Sequence, residues 1–129
     1  MPLTDEEKHE IGRQFHTALS TADWDRIRAL LHDDATWSLP GDNTVSGTVE
    51  GADAVVARAR KIGGYGLDFA LLHILVSPTN MALSLHNTAR RDDAVLDEYL
   101  STVCTLRDGK IARIETYLSD VKGMNAFFV

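Results

Sequence analysis

The chain has 129 residues, 44% hydrophobic and 25% charged. That is the balance of a single globular domain, 1–129, too short for two cores and too apolar to be disordered. Thirteen Lys and Arg against nineteen Asp and Glu leave a net charge of −6, which argues against nucleic acid or an anionic membrane as partner.

Thr4 followed by Asp5, Glu6 and Glu7 is a helix start with acids in its first turn. Ile11, Phe15, Ala18 and Leu19 then recur at helical spacing. Asp23 caps a second short helix with Trp24, Ile27, Leu30 and Leu31 on its apolar side, and Asp33-Asp34 ends it. Ala35 to Leu39 alternates as a strand until Pro40-Gly41 breaks it, and a loop runs to Gly51. A third helix covers about Ala52 to Ile62 and stops at Gly63-Gly64. Beyond Leu67 four β runs follow, 67–77, 80–91, 94–107 and 110–120. Two-residue loops at Pro78-Thr79, Asp92-Asp93 and Asp108-Gly109 join them as hairpins. The expected fold class is α+β, three N-terminal helices packed on a curved antiparallel sheet.

Such loops fix which residues face each other. His73 is expected opposite Ser84, His86 opposite Tyr99, Thr88 opposite Asp97 and Ser84 opposite Ser101. In the last hairpin Ser101 is expected opposite Thr116, Tyr99 opposite Leu118 and Asp97 opposite Asp120, all on one face. The other face carries Leu72, Leu83, Leu85, Leu100, Cys104 and Tyr117, with Glu98, Glu115 and Arg113 at its rim. A half-exposed sheet puts the polar face in water. Alternatively the polar face lines a cavity under the helices and the apolar face meets another subunit. One slipped residue would reverse part of this assignment.

DWDRIRALLHDDATWSLPG (Asp23 to Gly41), SGTVEG after it and LRDGKIARIETYLSDVKGMNAFF near the end resemble the SnoaL-like branch of the nuclear transport factor 2-like superfamily. The resemblance spans nearly the whole chain and implies a cone-shaped α+β barrel. In that fold the concave sheet face and the helices enclose a pocket, and dimers often form through the sheet. It favours the cavity reading of the polar face. Relatives include steroid isomerases, polyketide cyclases, epoxide hydrolases and dehydratases. The Tyr and two Asp groups of the ketosteroid isomerases fall on Phe15, Leu39 and Ser101, so that mechanism is not expected. The last-strand Asp of the cyclases and epoxide hydrolases falls on Thr116, with Asp120 the nearest carboxylate. The pocket His of the scytalone dehydratases falls on His73, while their first-helix Asp falls on Ser20.

His86, flanked by Ser84 and Thr88 and facing Tyr99, is the leading candidate acid or base, since imidazole titrates near neutrality. His73 in LLHILV reads either as a buried core histidine or as its proton partner. Asp97 and Asp120 would make an acid–base couple if they shared a low-dielectric site, and are rim carboxylates if not. Tyr99 and Ser101 would steady an oxyanion. Phe15, Trp37, Leu39, Ser84, Thr88, Ser101, Thr116 and Leu118 complete the expected ligand contacts. Met124, Phe127, Phe128 and Val129 read as a tail packed on the barrel mouth or on a partner.

No HxxxH, HxH or Cys pair supports a metal, and no glycine loop opens a helix to hold a cofactor phosphate, so neither is expected. MPLTDEEKHE lacks the features of a signal peptide, and the longest apolar run, Phe69 to Val76, falls well short of a membrane span. The resulting expectation is a cytoplasmic, cofactor-independent enzyme, homodimeric through the outer sheet face. It would isomerise, cyclise or dehydrate an apolar, oxygenated, polyketide- or steroid-like molecule. The alternatives are a non-catalytic binding protein with the same cavity, or an interaction module using the outer face.

Overall fold

Thr4 opens the first helix with a reciprocal capping box: its hydroxyl accepts from the Glu7 N–H while the Glu7 carboxylate accepts from its own N–H. The computed structural model describes residues 2–129. The elements are α1 (Asp5–Thr21), α2 (Trp24–Leu30), β1 (Leu31–Leu39), β2 (Gly47–Glu50), α3 (Ala52–Gly63), β3 (Asp68–Val76), β4 (Asn80–Arg91), β5 (Ala94–Arg107), β6 (Lys110–Leu118) and α4 (Val121–Phe127). One six-stranded sheet runs in the order β2-β1-β6-β5-β4-β3. All its pairings are antiparallel except β1 with β6, which is parallel.

The α+β class is as expected, with three differences. Asp33-Asp34 lies inside β1 rather than ending the second helix, and β2 is cut from the expected loop. The C-terminal tail holds a fourth helix, capped where the Asp120 carboxylate accepts from the Gly123 N–H. Its Asn125 accepts from the Asp42 N–H and the Asn43 amide, which ties the β1–β2 loop to α4.

Asp108 and Gly109 both take positive φ, the type I′ turn that suits a hairpin. The β4–β5 register is the expected one, with His86 opposite Tyr99 and Thr88 opposite Asp97. Each neighbouring hairpin contains one extra residue. Leu72 is extra in β3, between the pairs Leu71–Leu85 and His73–Ser84. Ala112 is extra in β6, between Leu106–Ile111 and Thr105–Arg113. The second bulge reverses the faces of β6, so Thr102 meets Thr116, Leu100 meets Leu118 and Ser101 meets Tyr117.

The helices cover the apolar face. Gly12 of α1 lies so near Ile74 and Leu83 that a Cβ there would be 3.2–3.3 Å from their side chains. Met81, Leu83, Leu85, Leu96, Cys104, Ile111 and Ile114 are buried beneath α1, α3 and α4, with Phe15, Val55, Met124, Phe127 and Phe128 against them. Leu83 and Leu85 therefore belong to the core and not to a subunit interface, which corrects the expected dimer surface. The polar face of His73, Ser84, His86, Thr88, Asp97, Tyr99 and Ser101 is the outer one, facing water. Burying the apolar stripe rather than the polar one is the outcome the hydrophobic effect favours.

Candidate functional site

β4 carries Met81, Leu83, Leu85 and Asn87 to its inner side, and β5 carries Leu96, Glu98, Leu100 and Thr102. Of these, Leu85, Asn87, Leu96, Glu98, Leu100 and Thr102 enclose a cavity with Phe15 and Leu19 of α1, Trp37 and Leu39 of β1, Ala59 and Ile62 of α3, and Met124 and Phe128 at the C-terminus. Its volume is ≈ 50 Å³.

Polar groups on this wall are few. Trp37 Nε1 donates to Thr116 Oγ1 at 3.0 Å, and the Thr116 and Thr102 hydroxyls lie 3.2 Å apart. Glu98 is only 1% exposed, and its Oε1 accepts from the Asp120 N–H at 2.8 Å. Its Oε2 is buried without a partner, as is Oδ1 of Asn87, the residue opposite on β4. Burial lifts the Glu98 carboxyl above the ordinary carboxylate range, and the charge of Asp120 lifts it further. The hydrogen bond from the Asp120 N–H opposes the rise. Nearly every buried polar group in a folded protein finds a partner. Two adjacent exceptions on one cavity wall are what a site awaiting a polar ligand looks like.

Phe15, Trp37, Leu39, Thr116 and Leu118 line the cavity. For Thr116 and Leu118 the Ala112 bulge is the cause. Ser84, Thr88 and Ser101 lie on the outer face, away from it. His86 is also on that face, where Nε2 meets Asp97 Oδ1 at 2.5 Å and the ring stacks on Tyr99 at 4.2 Å between centroids. These three groups do come together, but in solvent: Tyr99 is 53% exposed. His73 is exposed, so it is neither a core histidine nor a cavity group. Asp97 and Asp120 share no site, since one pairs with His86 and the other caps α4. The expected pocket of histidines is thus replaced by a pocket around Glu98.

Sequence reasoning placed Glu98 at a rim and passed over Asn87. The signal was present: a lone acid at alternate spacing between Leu96 and Leu100, and an amide continuing the stripe Met81, Leu83, Leu85.

The SnoaL-like domain profile matches residues 12–114. No curated protein matches by sequence. Bal32a, from a soil-derived mobile gene cassette, is 25% identical, with 96% of this chain and 98% of that one covered at a TM-score of 0.91. An NTF2-like protein of Burkholderia xenovorans LB400 is 18% identical over 98% of both chains, TM-score 0.83. An LEH-like epoxide hydrolase of M. tuberculosis is 19% identical, covering 95% of this chain and 90% of its own, TM-score 0.73. The fold is shared with the NTF2-like protein, and with the profile covering most of the chain, the chain belongs to the SnoaL-like family.

Proposed function

We propose that the cavity is the site of a cofactor-independent enzyme that moves a proton on a small, mostly apolar, oxygenated molecule. Glu98 is its acid or base. The observation that carries this reading is the unpartnered, buried Glu98 Oε2 on an apolar cavity wall. A carboxyl with a raised pKa is useful twice: neutral, it protonates a departing oxygen; ionised, it is a stronger base than an exposed carboxylate. Dehydration, cyclisation and isomerisation all need one or both of these steps. Oε1 is held by the Asp120 N–H, which leaves Oε2 positioned for the transfer. The SnoaL-like family supports a small-molecule site, and the LEH-like epoxide hydrolase shares the fold. Neither specifies the reaction.

Turnover can be detected whatever the product. A panel of small hydroxyketones and enones is incubated with the protein in D2O and followed by NMR for deuterium uptake, double-bond shift or loss of water. A turned-over compound should lose about 10²- to 10⁴-fold in rate with Glu98→Gln, at binding within a few-fold of wild type. Undiminished turnover in that variant would remove Glu98 from the chemistry. Binding across the panel with no turnover would make this a binding protein using the same cavity.

A further inference from the structure

Two sets of polar groups stand at opposite ends of the cavity. At one end Trp37, Thr116 and Thr102 form a chain of two hydrogen bonds. Three hydrogens are available to it, one on the indole and one on each hydroxyl. Trp37 uses its own on Thr116, and one hydroxyl hydrogen joins the two threonines. The remaining hydroxyl hydrogen has no acceptor in the chain, whichever threonine holds it. That end of the cavity therefore offers a donor.

At the other end Asn87 and Glu98 are opposite one another on β4 and β5, with Asn87 Oδ1 and Glu98 Oε2 both buried without partners. The Asn87 oxygen has only lone pairs to give, so it calls for a donor. Glu98 and Thr102 are four residues apart on the inner face of β5, about 13 Å by strand rise. Leu85, Leu100 and Leu118 make the wall between them. The cavity is small: its ≈ 50 Å³ compares with roughly 300–1,000 Å³ for sites that take drug-sized ligands.

We propose that the cavity selects a small apolar molecule with an oxygen function at each end, a hydroxyl read by Asn87 and Glu98 and a carbonyl or ether oxygen read by the spare Thr102/Thr116 hydroxyl. This rests on the reading of the cavity as a small-molecule site and narrows its substrate class to open-chain or single-ring hydroxycarbonyl compounds. Fused polycycles of steroid or polyketide size are rejected by volume. A ligand lacking the hydroxyl leaves Asn87 and Glu98 unpaired, so it is rejected by chemistry as well.

Four probes test it on the full chain: 8-hydroxyoctan-2-one, octan-2-one, octan-1-ol and octane. Affinity is measured by calorimetry, and the methyl NMR shifts of Leu85, Leu100 and Leu118 locate each probe. The hydroxyketone should bind at least about tenfold tighter than either single-function probe, one hydrogen bond's worth at each end. Thr102→Val, or Thr116→Val if the first misfolds, should weaken hydroxyketone and ketone by about fivefold or more and leave octan-1-ol unchanged. Asn87→Leu should weaken hydroxyketone and octan-1-ol and spare the ketone. If all four probes bind alike, or the variants do not divide them this way, the two-ended site is overturned while the cavity remains a small-molecule site. If none shifts the cavity methyls, the small-molecule reading falls with it.

Discussion

Asn87 occupies a place in the sheet where a leucine would serve the fold better. Its Oδ1 is desolvated without compensation, a loss of about 1–3 kcal/mol for a group of this kind. Asn87→Leu should therefore raise stability, by about 1 kcal/mol in urea unfolding, while weakening hydroxyl-bearing ligands. A loss of stability would mean that the amide does structural work. Glu98 makes a pH-dependent prediction. Its carboxyl titrates above its reference value of 4.5 in the folded protein because burial disfavours the charge. Its stabilising contribution is therefore complete below the unfolded pKa and is lost as pH rises through the folded one. The Tm of wild type minus that of Glu98→Gln should be largest in acid and shrink toward neutrality. A difference that grows with pH would reverse the assignment. Comparison with the variant is needed because Glu7, Glu10 and Asp33, each lowered by hydrogen bonds to Thr4, Gln14 and Arg28 respectively, act in the opposite sense.

Met124 of α4 and Phe128 just after it close the cavity, yet the helix is only seven residues long and depends on its ends. A Cβ on Gly123 would sit 2.4 Å from Asp120 Oδ2 and displace the cap. Gly123→Ala and Asp120→Ala should each cost about 1 kcal/mol and raise amide exchange over residues 121–128 before the sheet responds. Exchange that rises everywhere at once would show that α4 does not open separately. The same scale explains what was legible in the sequence. Periodicity and turn chemistry located α1, α3 and the four long strands, and Asp92-Asp93 set β4 against β5 in register. Bulges leave no such mark, because an extra Ala112 or Leu72 looks like any other strand residue until pairing is seen. Ala112 decides which β5 residues Thr116 and Tyr117 meet, so counting from the Asp108-Gly109 turn sets Thr116 opposite Ser101 where the structure sets it opposite Thr102. Identifying the inner face required only the rule that the more apolar stripe is covered.

The whole molecule keeps exposed apolar side chains on its outer sheet face, among them Leu75, Val95, Tyr99 and Tyr117. We propose that a second copy covers them. Tyr99→Glu with Tyr117→Glu should halve the sedimenting mass at low micromolar concentration without altering the fold, and an unchanged mass would sink the proposal. Leu85→Glu would not probe this surface, because Leu85 is 3% exposed in the core and its replacement should unfold the chain. Among the described residues no helix is long and apolar enough to cross a membrane. The core also contains Cys104, fully buried on β5 between its cross-strand partners Met81 and Ile114, with burial pushing its thiol up to about 12. A reagent in solution can reach that sulfur only when the sheet comes apart. Labelling by an aromatic disulfide should then be at least about a thousandfold slower than in denaturant, and its rate becomes a clock for opening events, read by absorbance from a single natural residue.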